Sequence, residues 1–97
     1  MNWFGVMPAM TTPFDTELRV DHGFLSEHSR WLLRNGCTGL VMLGSLGEGA
    51  TLEHAEKIQV LETAVRASES TKTPVVAAIS SLYTRDAVRL AKQAEDA

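Results

Sequence analysis

Apolar runs alternate with helical periods along the chain and predict three successive pairs of a strand and a helix. Residues 4–11 form an apolar segment that predicts the first strand, although Pro8 within it leaves one ladder hydrogen bond unmade. Residues 40–43 are apolar without alternation, which is typical of a strand buried on both faces in a parallel sheet. Residues 75–79 repeat that pattern after Pro74 and predict the third strand.

Each predicted strand is followed by a segment with the period of an amphipathic helix. Asp21 is a suitable N-cap for the first helix, and Asn35-Gly36 supplies its C-terminal stop. The second helix is expected from about residue 53 to residue 67, and Thr84 is expected to cap the third. Apolar or aromatic residues recur at helical spacing: Phe24, Leu25, His28, Trp31 and Leu32 in the first helix, an inner stripe of Ala55, Ile58, Leu61 and Val65 in the second, and an inner face of Ala87, Val88, Leu90, Ala91 and Ala94 in the third.

These units define an α/β fold with parallel strands. Three units in 97 residues average about 32 residues each, the usual size of a βα unit. The chain is 44% hydrophobic and 22% charged, which favours a globular protein over a disordered one. No apolar run approaches the roughly 20 residues of a membrane span, and the N-terminus does not have the pattern of a signal peptide. With one cysteine, Cys37, and so no internal disulfide, the sequence predicts a cytoplasmic protein.

Charge and metal-ligand patterns narrow the classes of partner. Nine basic and twelve acidic residues give a formal net charge of −3, spread evenly along the chain. Because no basic patch is present, we expect no nucleic-acid partner and no membrane partner. The three histidines, His22, His28 and His54, lack the spacing of a metal site, so we expect neither a metal nor another cofactor.

A glycine cluster follows the second predicted strand, at residues 44–49 with the sequence Gly-Ser-Leu-Gly-Glu-Gly. Ligands of parallel α/β folds bind at the carboxyl ends of the strands, where this loop is expected. The glycines permit positive φ angles and a close approach of a ligand to the backbone. Ser45 offers a hydroxyl, and the amides of Leu46 and Gly47 are candidates to bind an anion.

Three interpretations of this loop remain open on its own residues. A nucleotide-phosphate loop is disfavoured, because the glycine order departs from the dinucleotide motif, no lysine follows, and Glu48 would repel the phosphates. A site for a small carboxylate needs only Ser45 and two amides. A glycine-rich turn without a ligand is the simplest of the three.

Several segments together resemble the dihydrodipicolinate synthase / N-acetylneuraminate lyase family, over about residues 4–97. Each segment is short, but they occur in order, at the family's spacing and in a matching strand, loop and helix context. The segments are Gly5-Val6-Met7-Pro8-Ala9 with Thr12-Pro13-Phe14, Asn35-Gly36-Cys37-Thr38-Gly39, Leu43-Gly44-Ser45-Leu46-Gly47-Glu48 with Thr51-Leu52 and Glu56, and Pro74-Val75-Val76-Ala77 ahead of Thr84.

The resemblance implies a partial (β/α)₈ TIM barrel, with residues 1–97 as the first three βα units of a single domain. Members of the family are usually tetrameric. They join a lysine to a 2-oxo acid such as pyruvate as a Schiff base, and then carry out aldol, retro-aldol or dehydration chemistry. A protonated imine suits that chemistry because it is an electron sink that stabilises a neighbouring carbanion.

The resemblance also implies a role for each residue of the loop. Ser45 matches the hydroxyl of a tyrosine-linked proton relay, and with the backbone amides of Leu46 and Gly47 it is expected to bind the carboxylate of the 2-oxo acid. Gly44 and Glu48 are expected to support the loop, and Glu48 is expected to do so by accepting backbone N–H bonds.

The chain departs from the family pattern near this loop, which leaves the identity of the 2-oxo acid and of any second substrate open. Leu46 stands where the best-known members have threonine, so that a hydroxyl donor is lost. Ala78-Ile79-Ser80 stands where the family has Gly-Thr-Gly, and Leu82 replaces a common asparagine.

The resemblance also implies that the chemistry needs residues beyond these 97. The family's Schiff-base lysine lies on the sixth strand, whereas Lys57, Lys72 and Lys92 are expected to be surface charges. Tyr83 follows the third predicted strand but matches no relay motif. We therefore expect the chain alone to be inactive, and two alternatives stay open: a module that binds a small anion, and a non-catalytic fragment that completes a barrel.

Overall fold

The computed structural model describes residues 3–97, which form two parallel strands and three helices. The elements in chain order are α1 (His22–Arg34), β1 (Leu40–Met42), α2 (His54–Ser68), β2 (Val75–Ala77) and α3 (Thr84–Asp96). A short 3₁₀ turn, Gly49–Thr51, lies between β1 and α2. None of the helices in residues 3–97 combines the length and the apolar character that crossing a membrane requires.

The sheet is built on β1. Leu40, Val41 and Met42 pair in parallel with Val75, Val76 and Ala77 of β2. β1 is shorter than predicted because Leu43 adopts a left-handed conformation, with φ of 67°. β2 also ends early, at Ala77 rather than at residue 79. Its pairing partner has already turned away, and the amide of Ala78 makes the last bond, to Met42 O at 2.9 Å.

The prediction of a first strand over residues 4–11 is wrong in extent. Only Ala9 bridges Val41, through bonds from Val41 N to Pro8 O at 3.0 Å and from Met10 N to Val41 O at 2.8 Å. Val6 O accepts from Thr38 N at 2.8 Å, but the rung between these bonds needs a donor at Pro8, which has no N–H. The segment therefore follows β1 without forming a regular strand.

Helix α1 begins and ends where its capping residues predict. Asp21 Oδ1 accepts from Phe24 N at 3.0 Å, which confirms Asp21 as the N-cap. At the other end, Asn35 Nδ2 donates to Trp31 O at 2.8 Å, and Gly36 leaves the helix with φ of 103°.

The turn before α1 is closed by a bridge between Phe14 and Val20 and by the carboxylate of Asp15. Asp15 Oδ1 accepts from Glu17 N at 2.8 Å and from Arg19 N at 3.0 Å. The bond from the Arg19 amide is the main cause that lowers the pKa of Asp15 below its ordinary value. The turn is therefore firmest with the carboxyl ionised, and loosens as the pH falls through that lowered pKa.

Helix α2 follows Glu53, whose N–H donates to Glu56 Oε1 at 2.8 Å in a reciprocal capping box. The predicted inner stripe is displaced, since Leu61 is its only buried member and Ala55 is exposed. The helix turns its buried side toward α1, where Thr63 Oγ1 lies 2.8 Å from His22 Nδ1. The buried residues are Val60, Leu61, Thr63, Ala64, Ala67 and Ser68.

Helix α3 begins at Thr84, so the prediction that Thr84 caps it is wrong. Tyr83 occupies the cap position, and its carbonyl oxygen accepts from Asp86 N and Ala87 N at 3.1 Å. Of the predicted inner face only Leu90 is buried, and Val88 is exposed. This face of α3 is less buried than expected because α3 packs against α2 on one of its sides only.

Ser29 is a flaw in the packing of α1. The residue is fully buried, and its Oγ has no hydrogen-bond partner among the described residues. We predict that Ser29→Ala stabilises the chain by about 1 kcal/mol, because it removes an unpaired hydroxyl and favours the helix. The measurement is the urea midpoint at one fixed protein concentration.

Ser26→Ala is the matched control, because Ser26 lies in the same helix but is only half-buried. It reports helix propensity alone, and we expect a smaller gain of about 0.5 kcal/mol. Equal gains for the two variants would contradict a cost at Ser29.

Candidate functional site

The carboxyl ends of the chain's extended segments meet at one edge of the sheet. Ala9, Val41 and Val76 stand side by side, since Ala9 bridges Val41 and Val41 pairs with Val76. The segments that continue from them therefore emerge together: residues 10–12, residues 42–49 and residues 77–80. This is the edge at which parallel α/β proteins bind ligands.

The candidate loop, residues 43–49, is shaped by two left-handed residues that are not glycines. Leu43 has φ of 67° and Glu48 has φ of 55°. The loop glycines, which permit positive φ angles, do not adopt them, and among the described glycines only Gly5 and Gly36 have positive φ. Non-glycine residues adopt this conformation at a cost of about 1 kcal/mol or more, so the surroundings must hold the loop in place.

Two loop glycines are needed for close packing. A Cβ on Gly49 would stand 2.1 Å from Leu43 O, and one on Gly47 would stand 2.9 Å from Met10 O. A Cβ on Gly44 would meet nothing within 4 Å. The loop therefore folds back on its own first residue and against the segment after Ala9, while Gly44 faces open space.

Thr12 is a functional candidate that sequence reasoning missed. Its Oγ1 donates to Gly47 O at 2.6 Å in a buried hydrogen bond that joins two segments far apart in the sequence. Thr12 was part of a matching segment, but no periodicity or spacing identifies Gly47 as its partner. The bond ties the loop at Gly47 to the segment that follows Ala9.

Ser45 and Leu46 lie at the exposed tip of the loop. The hydroxyl of Ser45 is accessible, and within residues 3–97 neither its amide nor that of Leu46 donates a hydrogen bond. The amide of Gly47 is already engaged with Gly44 O at 3.0 Å. The donors open to an anion are therefore the Ser45 hydroxyl and the amides of Ser45 and Leu46.

Glu48 supports the loop through its backbone. Its carbonyl oxygen accepts from Thr51 N at 3.0 Å and from Thr51 Oγ1 at 2.9 Å. The carboxylate is exposed and makes no hydrogen bond among the described residues, in contrast to the expected bonds from backbone amides.

The other candidate groups lie outside the loop. Lys72 and Lys92 are exposed, whereas Lys57 is half-buried and lines a cavity of about 430 Å³ with Tyr83 and Asp86. That cavity lies between the N-terminal ends of α2 and α3 and does not include Ser45 or Leu46. Within residues 3–97, no group of three or more potential metal ligands is gathered together.

Comparison with known proteins assigns a family to this arrangement. A model of the Dihydrodipicolinate synthetase family matches residues 2–97. The 4-hydroxy-tetrahydrodipicolinate synthase of Natronomonas pharaonis is 48% identical over 93 residues, which cover 96% of this chain and 31% of that protein. The enzyme of the same name from Bacillus subtilis is 41% identical over 97 residues, which cover 100% of this chain and 33% of that protein.

Comparison with solved structures gives the same family. The chloride-inhibited dihydrodipicolinate synthase from Acinetobacter baumannii, complexed with pyruvate, matches 95% of this chain and 31% of its own, with a TM-score of 0.89 and 30% identity. The chain therefore belongs to the Dihydrodipicolinate synthetase family, which confirms the resemblance drawn from its motifs. It spans about one third of the length of these relatives and matches part of their TIM barrel.

The two outer glycines of the loop provide a matched pair of substitutions. We predict that Gly49→Ala destabilises the chain by about 2 kcal/mol, because its Cβ would overlap the carbonyl oxygen of Leu43. Gly44→Ala should change stability little, since its Cβ meets open space. Urea midpoints at a fixed protein concentration test this, and equal losses would rule out the close approach at Gly49.

Proposed function

We propose that residues 1–97 form the N-terminal part of a single TIM-barrel domain in a Schiff-base lyase or aldolase. Its substrate is pyruvate or another 2-oxo acid, and in function it resembles 4-hydroxy-tetrahydrodipicolinate synthase. The observation that supports the proposal is the loop tip after β1, where Ser45 and Leu46 are exposed and their amides donate no hydrogen bond within the described residues.

The kinds of donor at the tip suit a carboxylate. The Ser45 hydroxyl and the amides of Ser45 and Leu46 are neutral donors, which bind an anion without adding a counter-charge. Gly47 closes the turn through its bond to Gly44 O, so its part in the site is to shape the loop. Thr12 and Glu48 hold the loop from either side.

The chemistry itself belongs to a lysine elsewhere in the barrel. Imine formation joins the lysine nitrogen to C2 of the 2-oxo acid and releases water, and the protonated imine accepts the electron pair of the adjacent carbanion. In this scheme Ser45 passes a proton to or from the reacting oxygen while its neighbours hold the carboxylate. The complete enzyme is expected to be a homotetramer.

The 97 residues alone are expected to form no imine. Lys57 lies on α2, Lys72 lies in the connection after α2, and Lys92 lies on α3. None of these lysines follows a strand at the edge where the loop tip lies.

A hybrid enzyme tests the proposal. Residues 1–97 replace the matching third of the Bacillus subtilis relative, which supplies the rest of the barrel. We predict that pyruvate with borohydride labels one lysine of the hybrid, and that Ser45→Ala slows labelling about 100-fold through loss of the proton-relay hydroxyl.

Ser70→Ala serves as the control, because Ser70 is exposed in the turn after α2. It is expected to label at the rate of the unsubstituted hybrid. The proposal fails if a folded hybrid is not labelled, or if Ser45→Ala is labelled as fast as Ser70→Ala.

Leu46 gives a second prediction about binding. Its side chain is 65% exposed at the loop tip and donates no hydrogen bond. We expect Leu46→Thr to lower the pyruvate concentration for half-maximal labelling of the hybrid about fivefold, because one neutral hydrogen bond contributes about 1 kcal/mol.

Leu46→Val is the matched control, since it is branched like threonine but adds no donor. If valine has the same effect as threonine, shape rather than a hydroxyl determines binding at position 46.

A non-catalytic role is the alternative function. The same donors would serve a module that binds a small anion. The three βα units would also serve a non-catalytic fragment that completes a barrel with another chain. Backbone amide shifts on titration of the unsubstituted chain with pyruvate separate these cases. Shifts confined to residues 44–47 without lysine labelling in the hybrid favour anion binding, and no shifts with labelling only in the hybrid favour the enzyme.

A further inference from the structure

Two exposed apolar side chains lie at the same edge of the sheet as the donors of the loop tip. Leu46 is 65% exposed and Ile79 is 39% exposed. Each follows a strand at its carboxyl end, Leu46 after β1 and Ile79 after β2. Sites for small molecules are lined mostly by apolar side chains around a small number of polar groups, and this edge offers both kinds of group.

The register of the sheet brings Ile79 level with the start of the loop. Met42 pairs with Ala77, and the amide of Ala78 donates to Met42 O at 2.9 Å. Gly44 and Ile79 each lie two residues beyond that pair, so the chain leaves both strands at the same level. A Cβ on Gly44 would meet nothing within 4 Å. Space for a ligand group is therefore open at Gly44, on the strand next to the one that Ile79 follows.

Leu46 carries a candidate carboxylate donor and an apolar side chain together. Its amide donates no hydrogen bond within residues 3–97, and its side chain is exposed. Because one residue carries both groups, a carboxylate bound at that amide brings the rest of the ligand within reach of the Leu46 side chain. Pyruvate has only a methyl group beyond its carbonyl and would cover little of this apolar surface. A longer apolar chain would bury more of it.

The charge of this edge disfavours a second anionic group on the ligand. Three segments emerge together at the edge, namely residues 10–12, 42–49 and 77–80, and Glu48 is their only charged residue. Its carboxylate is exposed. The part of a ligand beyond its first carboxylate therefore meets apolar side chains and a negative charge, and these segments offer no cation to pair with a second carboxylate.

We propose that the substrate of this site is a 2-oxo acid with an apolar chain of two or more carbons beyond its carbonyl, and that Leu46 and Ile79 select it. This inference rests on the 2-oxo acid site of the proposed function and adds the class of substrate to it. The two side chains determine specificity and take no part in proton transfer.

A series of 2-oxo acids tests the proposal in the hybrid. The concentration for half-maximal borohydride labelling is measured for pyruvate, 2-oxopentanoate and 2-oxoglutarate, the last of which has a carboxylate in place of the terminal methyl group. We predict a concentration about 15-fold lower for 2-oxopentanoate than for pyruvate, because each of its two additional methylenes contributes about fourfold when buried. We expect 2-oxoglutarate to gain nothing over pyruvate, because its second carboxylate would lose hydration without a partner.

Variants of the hybrid locate the preference. Leu46→Thr and Ile79→Thr each replace apolar surface with a hydroxyl, and each should reduce the 15-fold ratio to about fourfold or less. Leu18→Thr is the matched control, because Leu18 is 81% exposed in the turn before α1, and it should leave the ratio unchanged. A ratio near one in the unsubstituted hybrid overturns the proposal, as does an equal effect of Leu46→Thr and Leu18→Thr. Tighter binding of 2-oxoglutarate than of 2-oxopentanoate overturns it in favour of a dicarboxylate substrate.

Carboxylic acids without a carbonyl group keep this inference apart from the Schiff-base function, because they form no imine. Binding of propanoate and of pentanoate to the hybrid is measured by calorimetry, and pentanoate should bind about 15-fold more tightly. That preference without lysine labelling by any 2-oxo acid rejects the Schiff-base function alone. Labelling by pyruvate without a preference for the longer chain in either experiment rejects the apolar substrate alone.

Discussion

The pairing of β1 on both of its edges is the constraint on which the rest of the structure depends. On one side β1 takes bonds from the Pro8–Met10 segment, and on the other it pairs residue by residue with β2. Leu40 and Met42 are almost completely buried as a result. This central position aligns three chain segments at one edge, and the candidate loop continues directly from β1 at that edge.

The loop adopts a strained backbone conformation that a small number of contacts hold in place. Leu43 and Glu48 are left-handed although neither is a glycine. The buried hydrogen bond from Thr12 to Gly47 and the close approach of Gly49 to Leu43 restrict the conformations open to the loop backbone. Strain of this kind persists where the surroundings over-determine the chain, and at a ligand-binding edge it keeps donors fixed before a ligand arrives.

The sequence predicted the features that depend on residues close together along the chain. Asp21 caps α1 as expected, and the apolar segments around Val41 and Val76 pair in parallel. The predictions that were wrong concern features that depend on packing against another segment of the chain. Pro8 removes the donor of one rung and with it the first strand, and the buried side of α2 follows its contact with α1 rather than its apolar period. The φ angles of the loop were also beyond prediction, because glycine permits left-handed backbone without requiring it.

The apolar arc on α1 is wider than the contacts that α1 makes within these residues. From Leu33 through Leu25 to Trp31, apolar and aromatic side chains cover about 200° of the helix, twice what a helix facing a single core surface needs. The structure uses the half around Ser29, and the rings of Phe24, His28 and Trp31 lie outside it. An arc this wide is the pattern of a helix with packed neighbours on both flanks, as in the outer ring of a barrel. These residues therefore bury about half of the apolar and aromatic arc that the sequence of α1 provides.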